Sequence, residues 1–444
     1  MLVNTRKLIF SLIVLSGWNV AQAQEVWTLK QCIDTAQVHN KTLQINRNNI
    51  SISEQRKKEA QANLIPKITA NTDYKYFMEL PTQLMPMNAL NPQAPEGQFR
   101  DLQFGVPHNI NANVQLAMPL YNPQVYGAIQ STQIAKELTE LQFQKSEEQV
   151  LFDITTLYYN AQIIVHQLAF LDSNIANTEK LLKNMQLLKD QLLAKGSDVS
   201  KVKLQAEQLN TQQQNVNNKL IQVLNALKLN MGISLEQNIS VVSEIQQEVS
   251  LESDTRNVLE LKIIQKQNQL LHSDLKTLNQ SRFLPSLNLI ASYGTTGFGY
   301  DKKPNDFLKF YPIGFAGIQL SYPLFNGTVT QRKINQKKLE ITNNELQSKL
   351  ITEKNDMEVE NAIRQKTIAQ STITNTESQI ALAKTIYEQT VLQQKHGTAS
   401  LTDVLLADNA LREAQQNYLN AVIDFLKADL ELKKLTGSIT SIKN

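Results

Sequence analysis

Cysteine is all but absent from this 444-residue chain, histidine occurs five times, and no basic run, glycine-rich phosphate loop or long apolar stretch follows the first two dozen residues. The single cysteine, Cys32, can close no internal disulfide and supply no cysteine-cluster metal site. It reads as a buried, inert thiol. His39, His108, His166, His272 and His396 are scattered without the spacing of zinc ligands. Adjacent carboxylates such as Glu147 and Glu148, or Asp356, Glu358 and Glu360, sit in helical stripes where they read as solvated or interhelical charges rather than acid–base pairs. These absences exclude an enzyme, a metal site and a cofactor. Forty-four basic against forty-one acidic residues give a net charge of +3, with no basic, aromatic-interleaved patch of the kind nucleic acid requires. No segment beyond the N-terminus reaches the roughly 20 apolar residues of a membrane-spanning helix. Any membrane insertion must therefore use strands.

The N-terminus carries Arg6 and Lys7, an apolar run over 8–20, and Ala21-Gln22-Ala23 before Gln24. That is the layout of a cleaved secretory signal over residues 1–23. No cysteine stands at the cleavage point, so an acylated anchor is not expected.

The mature chain repeats itself. Residues 64–76 (LIPKITANTDYKY) are echoed from Phe283 (FLPSLNLIASYG), VQLAMPLYNP from Val114 by IQLSYPLFNG from Ile318, and 196–232 by 397–437. Two structural repeats follow, 24–236 and 256–437, joined by a connector over 237–255 and ending in a tail over 438–444. Each repeat reads as helix, strand, loop, strand, long helix and return helix. Thr28 and Gln31 form a capping-box pattern that opens a first helix of about ten turns, ending before Pro66. Asn122-Pro123 opens the first long helix, expected over 123–195, with neither proline nor glycine after Gly127. At 1.5 Å per residue it spans roughly 100 Å. Apolar residues at spacings of three and four (Ile134, Leu138, Leu141; Val150, Ile154, Leu157) give it a coiled-coil stripe. The second long helix is expected over 327–395. Gly196 and Gly397 punctuate the turns into return helices over 198–232 and 400–436.

Four segments, 66–78, 109–121, 285–298 and 313–324, alternate with period two. One face carries Asn71, Asp73, Asn111, Asn113, Gln115, Asn288 and Gln319. The other carries aliphatic residues with Tyr74, Tyr76, Tyr293 and Tyr322; Ile290 and Phe315 break the pattern. Such alternation suits a tilted strand with lipid on one face and a wet lumen on the other. It also suits a half-buried soluble sheet, which leaves open a secreted or periplasmic coiled-coil scaffold without a channel. Four strands cannot close, and open edges in lipid leave backbone groups unpaired, so a barrel must be shared between chains. Two chains suffice by count, while three give twelve strands. The proline-rich loop over 79–108 and the loop over 299–312 are expected outside the cell, opposite the helices.

The duplicated strand–loop–strand–helix order beginning at Pro66 and Pro285, with Gly397-Thr398-Ala399-Ser400-Leu401-Thr402-Asp403-Val404-Leu405, resembles the outer-membrane efflux proteins typified by TolC. The resemblance implies a mixed α and β fold in which a homotrimer builds a twelve-stranded transmembrane barrel continued by a coiled-coil-like helical barrel. It further implies a place in the outer membrane of a Gram-negative bacterium, contact with outer-membrane lipid, a periplasmic adaptor, and an inner-membrane pump of the RND or ABC class. The implied role is an outer-membrane channel subunit in tripartite efflux or type I secretion. By the same resemblance Asp403, with the turns at Gly397 and Gly196, lies at a periplasmic gate. The family's second gate aspartate falls on Leu406, and Ala399 and Gln394 stand where an arginine and a tyrosine are expected. Ser400 to Asp403 also reads as a capping box that opens the return helix.

Overall fold

The computed structural model describes residues 25–90, 92, 93, 95–245 and 259–439. The expected leader, residues 246–255 of the connector and residues 440–444 of the tail lie outside the described residues. In chain order the elements are β1 (Glu25–Trp27), α1 (Leu29–His39), α2 (Lys41–Ala62), β2 (Lys67–Tyr76), β3 (Thr82–Pro86), α3 (Met87–Leu90), β4 (Phe99–Gln103) and β5 (His108–Tyr121). They continue as α4 (Pro123–Asp190), α5 (Gly196–Met231), β6 (Ile239–Val241), α6 (Leu259–Phe283), β7 (Ser286–Tyr300), β8 (Phe307–Ser321), α7 (Val329–Lys395) and α8 (Leu401–Leu435). The chain divides into two units, and each crossing between them falls inside a helix.

One unit comprises Ile50–Thr139 and Ile264–Gln347. Its sheet runs β2-β5-β7-β8, antiparallel at every pairing. Each strand is continuous in sequence with one helix, and polar pairs hold those helices in the strand order. Lys136 on α4 meets Glu54 on α2 at 2.6 Å, Ser131 on α4 donates to Asp274 on α6 at 2.8 Å, and Asn268 on α6 donates to Asn344 on α7 at 3.1 Å. The hydrogen bond from Lys136 holds the Glu54 carboxyl below its ordinary range, and that from Lys266 does the same for Glu137. Stability from these two carboxylates is therefore present above the ordinary carboxylate range and lost as pH falls through their lowered values.

The other unit comprises residues through Asn49, Glu140–Ile263 and the chain from Ser348. Its largest core gathers Cys32, Ile33, Leu43, Ile154, Ala161, Leu227, Met231 and Ile439. Burial pushes the Cys32 thiol up to about 12, which keeps it protonated and unreactive. Tyr158 joins this core to a small parallel pair, β1 with β6, by donating to the Trp27 carbonyl at 2.9 Å and accepting from the Val242 N–H.

Several boundaries differ from the sequence expectation. The first helix is not continuous, because it breaks at Asn40, which is 4% exposed. The Asn40 side chain accepts from the Leu43 N–H and donates to the Asn230 carbonyl, so a short polar side chain competes with helical hydrogen bonding. The first long helix stops at Asp190 rather than 195, and α5 begins at Gly196 rather than 198. The left-handed residue in that turn is Leu192 at φ 60, with Leu193 N–H bonded back to Leu188. Gly196 instead opens α5, so the glycine did not mark the helix end. The third and fourth strands each run 15 residues, which turns most of the expected loop over 299–312 into hairpin and leaves only 301–306 between them. Cross-strand aromatic packing sustains this extension: an added Cβ at Gly297 would meet the Phe310 ring at 2.6 Å. The loop over 79–108 contains its own hairpin, β3 with β4. Tyr322 follows the last residue of β8 and is not a strand residue.

Candidate functional site

Two surfaces carry the residues singled out by the sequence. The first is the four-stranded sheet. Its register places Asp73 opposite Asn111, Asn71 opposite Asn113, Thr69 opposite Gln115 and Asn288 opposite Gln319. Since side chains alternate across a strand, all seven expected lumen residues share one face. Asn111 donates to the Asp73 carboxylate at 3.1 Å along it. The opposite face brings together Ile68 with Leu116, Val114 with Tyr293, and Leu289 with Ile318, and it also holds Tyr74 and Tyr76. Both ring systems meet His108, Tyr74 through a 2.8 Å hydrogen bond to Nδ1 and Tyr76 at 5.0 Å between centroids. Of the four expected interface tyrosines the strands carry three. Tyr293 is 72% exposed and Ile318 65%, so this face is apolar and uncovered. β2 and β8 are the sheet's outer strands. Each leaves a ladder of unpaired backbone groups along a free edge.

The second surface lies around the turns between the long and return helices. Gly397 takes the left-handed conformation, φ 77, while Gly397 N–H bonds to Gln394 and Thr398 N–H to Gln393. Ser400 then caps α8 in a complete capping box: its hydroxyl accepts from the Asp403 N–H, and the Asp403 carboxylate accepts from Ser400 N–H and Oγ at 2.8 and 2.7 Å. Those bonds from Ser400 hold the Asp403 carboxyl below its ordinary value. Asp403 is thus engaged locally in the cap. Substituting Ser400 with alanine should cost about 1 kcal/mol by leaving first-turn N–H groups unsatisfied, measurable as a lowered thermal midpoint. Gln394, standing where a tyrosine was expected, donates weakly to Met185 Sδ at 3.6 Å.

Sequence reading did not find what joins the return helices to each other. Asp408 on α8 is 4% exposed; it accepts a short hydrogen bond from Gln205 on α5 and pairs with Arg412 at 3.0 Å. Below this clamp, Leu181, Met185, Val202, Leu401 and Val404 make a shared core. Burial raises the Asp408 carboxyl above its ordinary value, against the opposing pull of Arg412 and Gln205. The folded protein therefore holds that proton better than the unfolded chain does. This group's contribution is complete below the ordinary aspartate pKa and is lost as pH rises through the raised one. Thermal unfolding of the wild type and Asp408→Asn across the acid range should show the wild type gaining stability relative to the variant as pH falls. The i,i+4 spacing of Asp408 and Arg412 was the one available sequence signal; the Gln205 partner lies 203 residues away.

No helix among the described residues is long and apolar enough to cross a membrane. No curated protein matches the chain significantly by sequence. Among solved structures, the outer membrane protein VceC from Vibrio cholerae is similar with a TM-score of 0.70 at 15% identity, covering 92% of this chain and 96% of that one. The CmeC outer membrane channel of Campylobacter jejuni is similar at 0.73 and 14%, covering 92% and 85%. The Neisseria gonorrhoeae MtrE outer membrane channel, in its open state, is similar at 0.70 and 14%, covering 92% and 88%. At such identities the likeness concerns the fold. A sequence model of the family described as outer membrane efflux protein matches residues 273–438, which hold both β7–β8 and the α7–α8 pair with its capped turn. Proteins of this family are channels, not enzymes. Residues 273–438 thus match the outer membrane efflux protein family, and the chain has the fold of the solved outer-membrane channels.

Proposed function

We propose that three copies of this chain form an outer-membrane channel that conducts cargo from a periplasmic adaptor and an inner-membrane pump, of the RND or ABC class, to the exterior. The carrying observation is an amphipathic four-stranded sheet with both outer edges open, since in lipid such edges persist only if another copy pairs with them. A second observation agrees with it. Along α7, Leu339 and Leu346, Leu350 and Met357, and Leu382 and Ile386 recur at spacings of seven or four, and each is over half exposed. This is the seam of a coiled coil awaiting a partner helix.

In this reading the face with Asn71, Asp73, Asn111, Asn113, Gln115, Asn288 and Gln319 lines the bore, and the face with Tyr74, Tyr76 and Tyr293 meets outer-membrane lipid. Three four-stranded sheets, each made of β2, β5, β7 and β8 of one copy, supply the twelve strands that close the barrel, within the size range of known membrane barrels. The turns around Gly196 and Gly397, with Asp403, form the periplasmic constriction, which opens as the helices untwist. An intersubunit disulfide locking these turns should abolish transport until reduced. The decisive experiment places the purified mature chain in a planar bilayer while its mass is measured in detergent. Stable conductance from a species of three chains is expected; a water-soluble, non-conducting monomer would overturn the reading.

A further inference from the structure

The polar face of the sheet is not polar throughout. β2 and β5 give it lysine, threonine, asparagine, aspartate and glutamine, but the same face on the loop-ward part of the β7–β8 hairpin carries Phe298, Tyr300, Phe307, Tyr311, Ile313 and Phe315. The register leaves no freedom here, since Phe298 lies opposite both Asn109 and Lys309, and Thr296 opposite both Asn111 and Tyr311. The rings are gathered rather than scattered. Phe298 and Tyr311 are 6.1 Å apart between centroids, and Tyr300 stacks on Phe307 at 6.4 Å with an interplanar angle of 27°. They are also open, with Tyr311 52% and Phe315 58% exposed. Exposed apolar area concentrated on one patch of an otherwise hydrated face marks a surface that binds something.

The charge on the patch says what. Along β7 and β8, Lys309 is the one ionisable group on this face apart from the tyrosines, and its ammonium lies 5.9 Å from the centre of the Phe307 ring. The carboxylate that shares this face, Asp73 on β2, is met by the Lys75 ammonium at 3.7 Å and by the Asn111 amide at 3.1 Å. Rings that stack beside a cation without a facing carboxylate favour a flat ring system bearing negative charge.

We propose that this half of the β7–β8 hairpin is a binding site for planar aromatic anions: their rings stack on Phe298 and Tyr311 while Lys309 takes the anionic group. The proposal rests on the channel reading for its place on a water-filled bore, and it assigns that bore a preferred class of cargo.

The test uses the full mature chain in a planar bilayer, with 2-naphthalenesulfonate, cyclohexanesulfonate or 2-naphthyltrimethylammonium added on the loop side. Naphthalenesulfonate should interrupt the current, and Lys309→Gln and Tyr311→Leu should each shorten the interruptions about tenfold; detergent mass checks that both variants still assemble. Equal effects from the flat and non-flat sulfonates, a stronger effect from the cation, or indifference to both substitutions would overturn the site. Interruptions that arise only after removal of residues 82–103 would also overturn it, by showing that the chain's own β3–β4 hairpin occupies the patch. Absence of any current would instead strike the channel reading. Fluorescence anisotropy of naphthalenesulfonate on the detergent-solubilised wild type and Lys309→Gln then decides the site by itself, with equal binding overturning it.

Discussion

Replacing Asp429 by alanine should destabilise the helical unit by about 3–5 kcal/mol, the cost of removing one partner from a buried ion pair. Asp429 on α8 sits between two cations, Lys366 on α7 at 2.7 Å and Lys433 one turn along α8 at 3.0 Å. The three side chains are only 10% to 15% exposed. Without the carboxylate, two ammonium groups would face each other largely out of water, where each has lost hydration and neither has a counter-charge. A triple variant, Lys366→Met with Asp429→Leu and Lys433→Leu, should recover most of the loss, because well-packed apolar groups need no compensation. Thermal unfolding followed by circular dichroism in detergent measures both. A loss below about 1 kcal/mol in Asp429→Ala, the size of an exposed pair, would show that water reaches the site.

The second large effect is expected at Gly232, which ends α5 in the left-handed conformation at φ 77. An alanine there would place its Cβ 2.1 Å from the His39 carbonyl oxygen and 3.0 Å from the Asn40 nitrogen. Both neighbours are backbone at the break between α1 and α2, so no flexible side chain can move aside. The left-handed conformation alone costs an alanine roughly 1–2 kcal/mol. Displacing the break adds about 1–3 kcal/mol and endangers the Asn40 bonds to Asn230 and Leu43. Gly397 supplies the control, having the same φ of 77 but nothing within 4 Å of an added Cβ. Gly397→Ala should therefore pay the conformational cost only. If the two variants melt alike, the close approach at Gly232 carries no weight.

Local chemistry made much of this protein legible before any coordinates. The alternation of Ile68, Ala70 and Thr72 with Thr69, Asn71 and Asp73 fixes a two-faced strand whatever surrounds it. The capping boxes at Thr28 and Ser400 were readable for the same reason, because donor and acceptor stand three residues apart in the chain and meet as soon as a helix turns. The ends of elements were less legible. Asn40 looks like one more polar residue in a helical stripe until its side chain finds the Asn230 carbonyl, 190 residues away. Leu192 gives no sign that it will adopt the left-handed conformation ahead of Gly196.

The sequence by itself determined the amphipathic strands, the two long helices and the capped return helix, since each depends on residues close along the chain. Only the tertiary structure decided that Asp408 meets Gln205, that Asp429 stands between Lys366 and Lys433, and that the rings of β7 and β8 gather on the polar face. Those contacts are set by the register of one helix or strand against another. A shift of one residue in a strand turns every side chain to the other face, and a shift of one turn in a helix changes every partner, so the choice belongs to the packing of the whole unit.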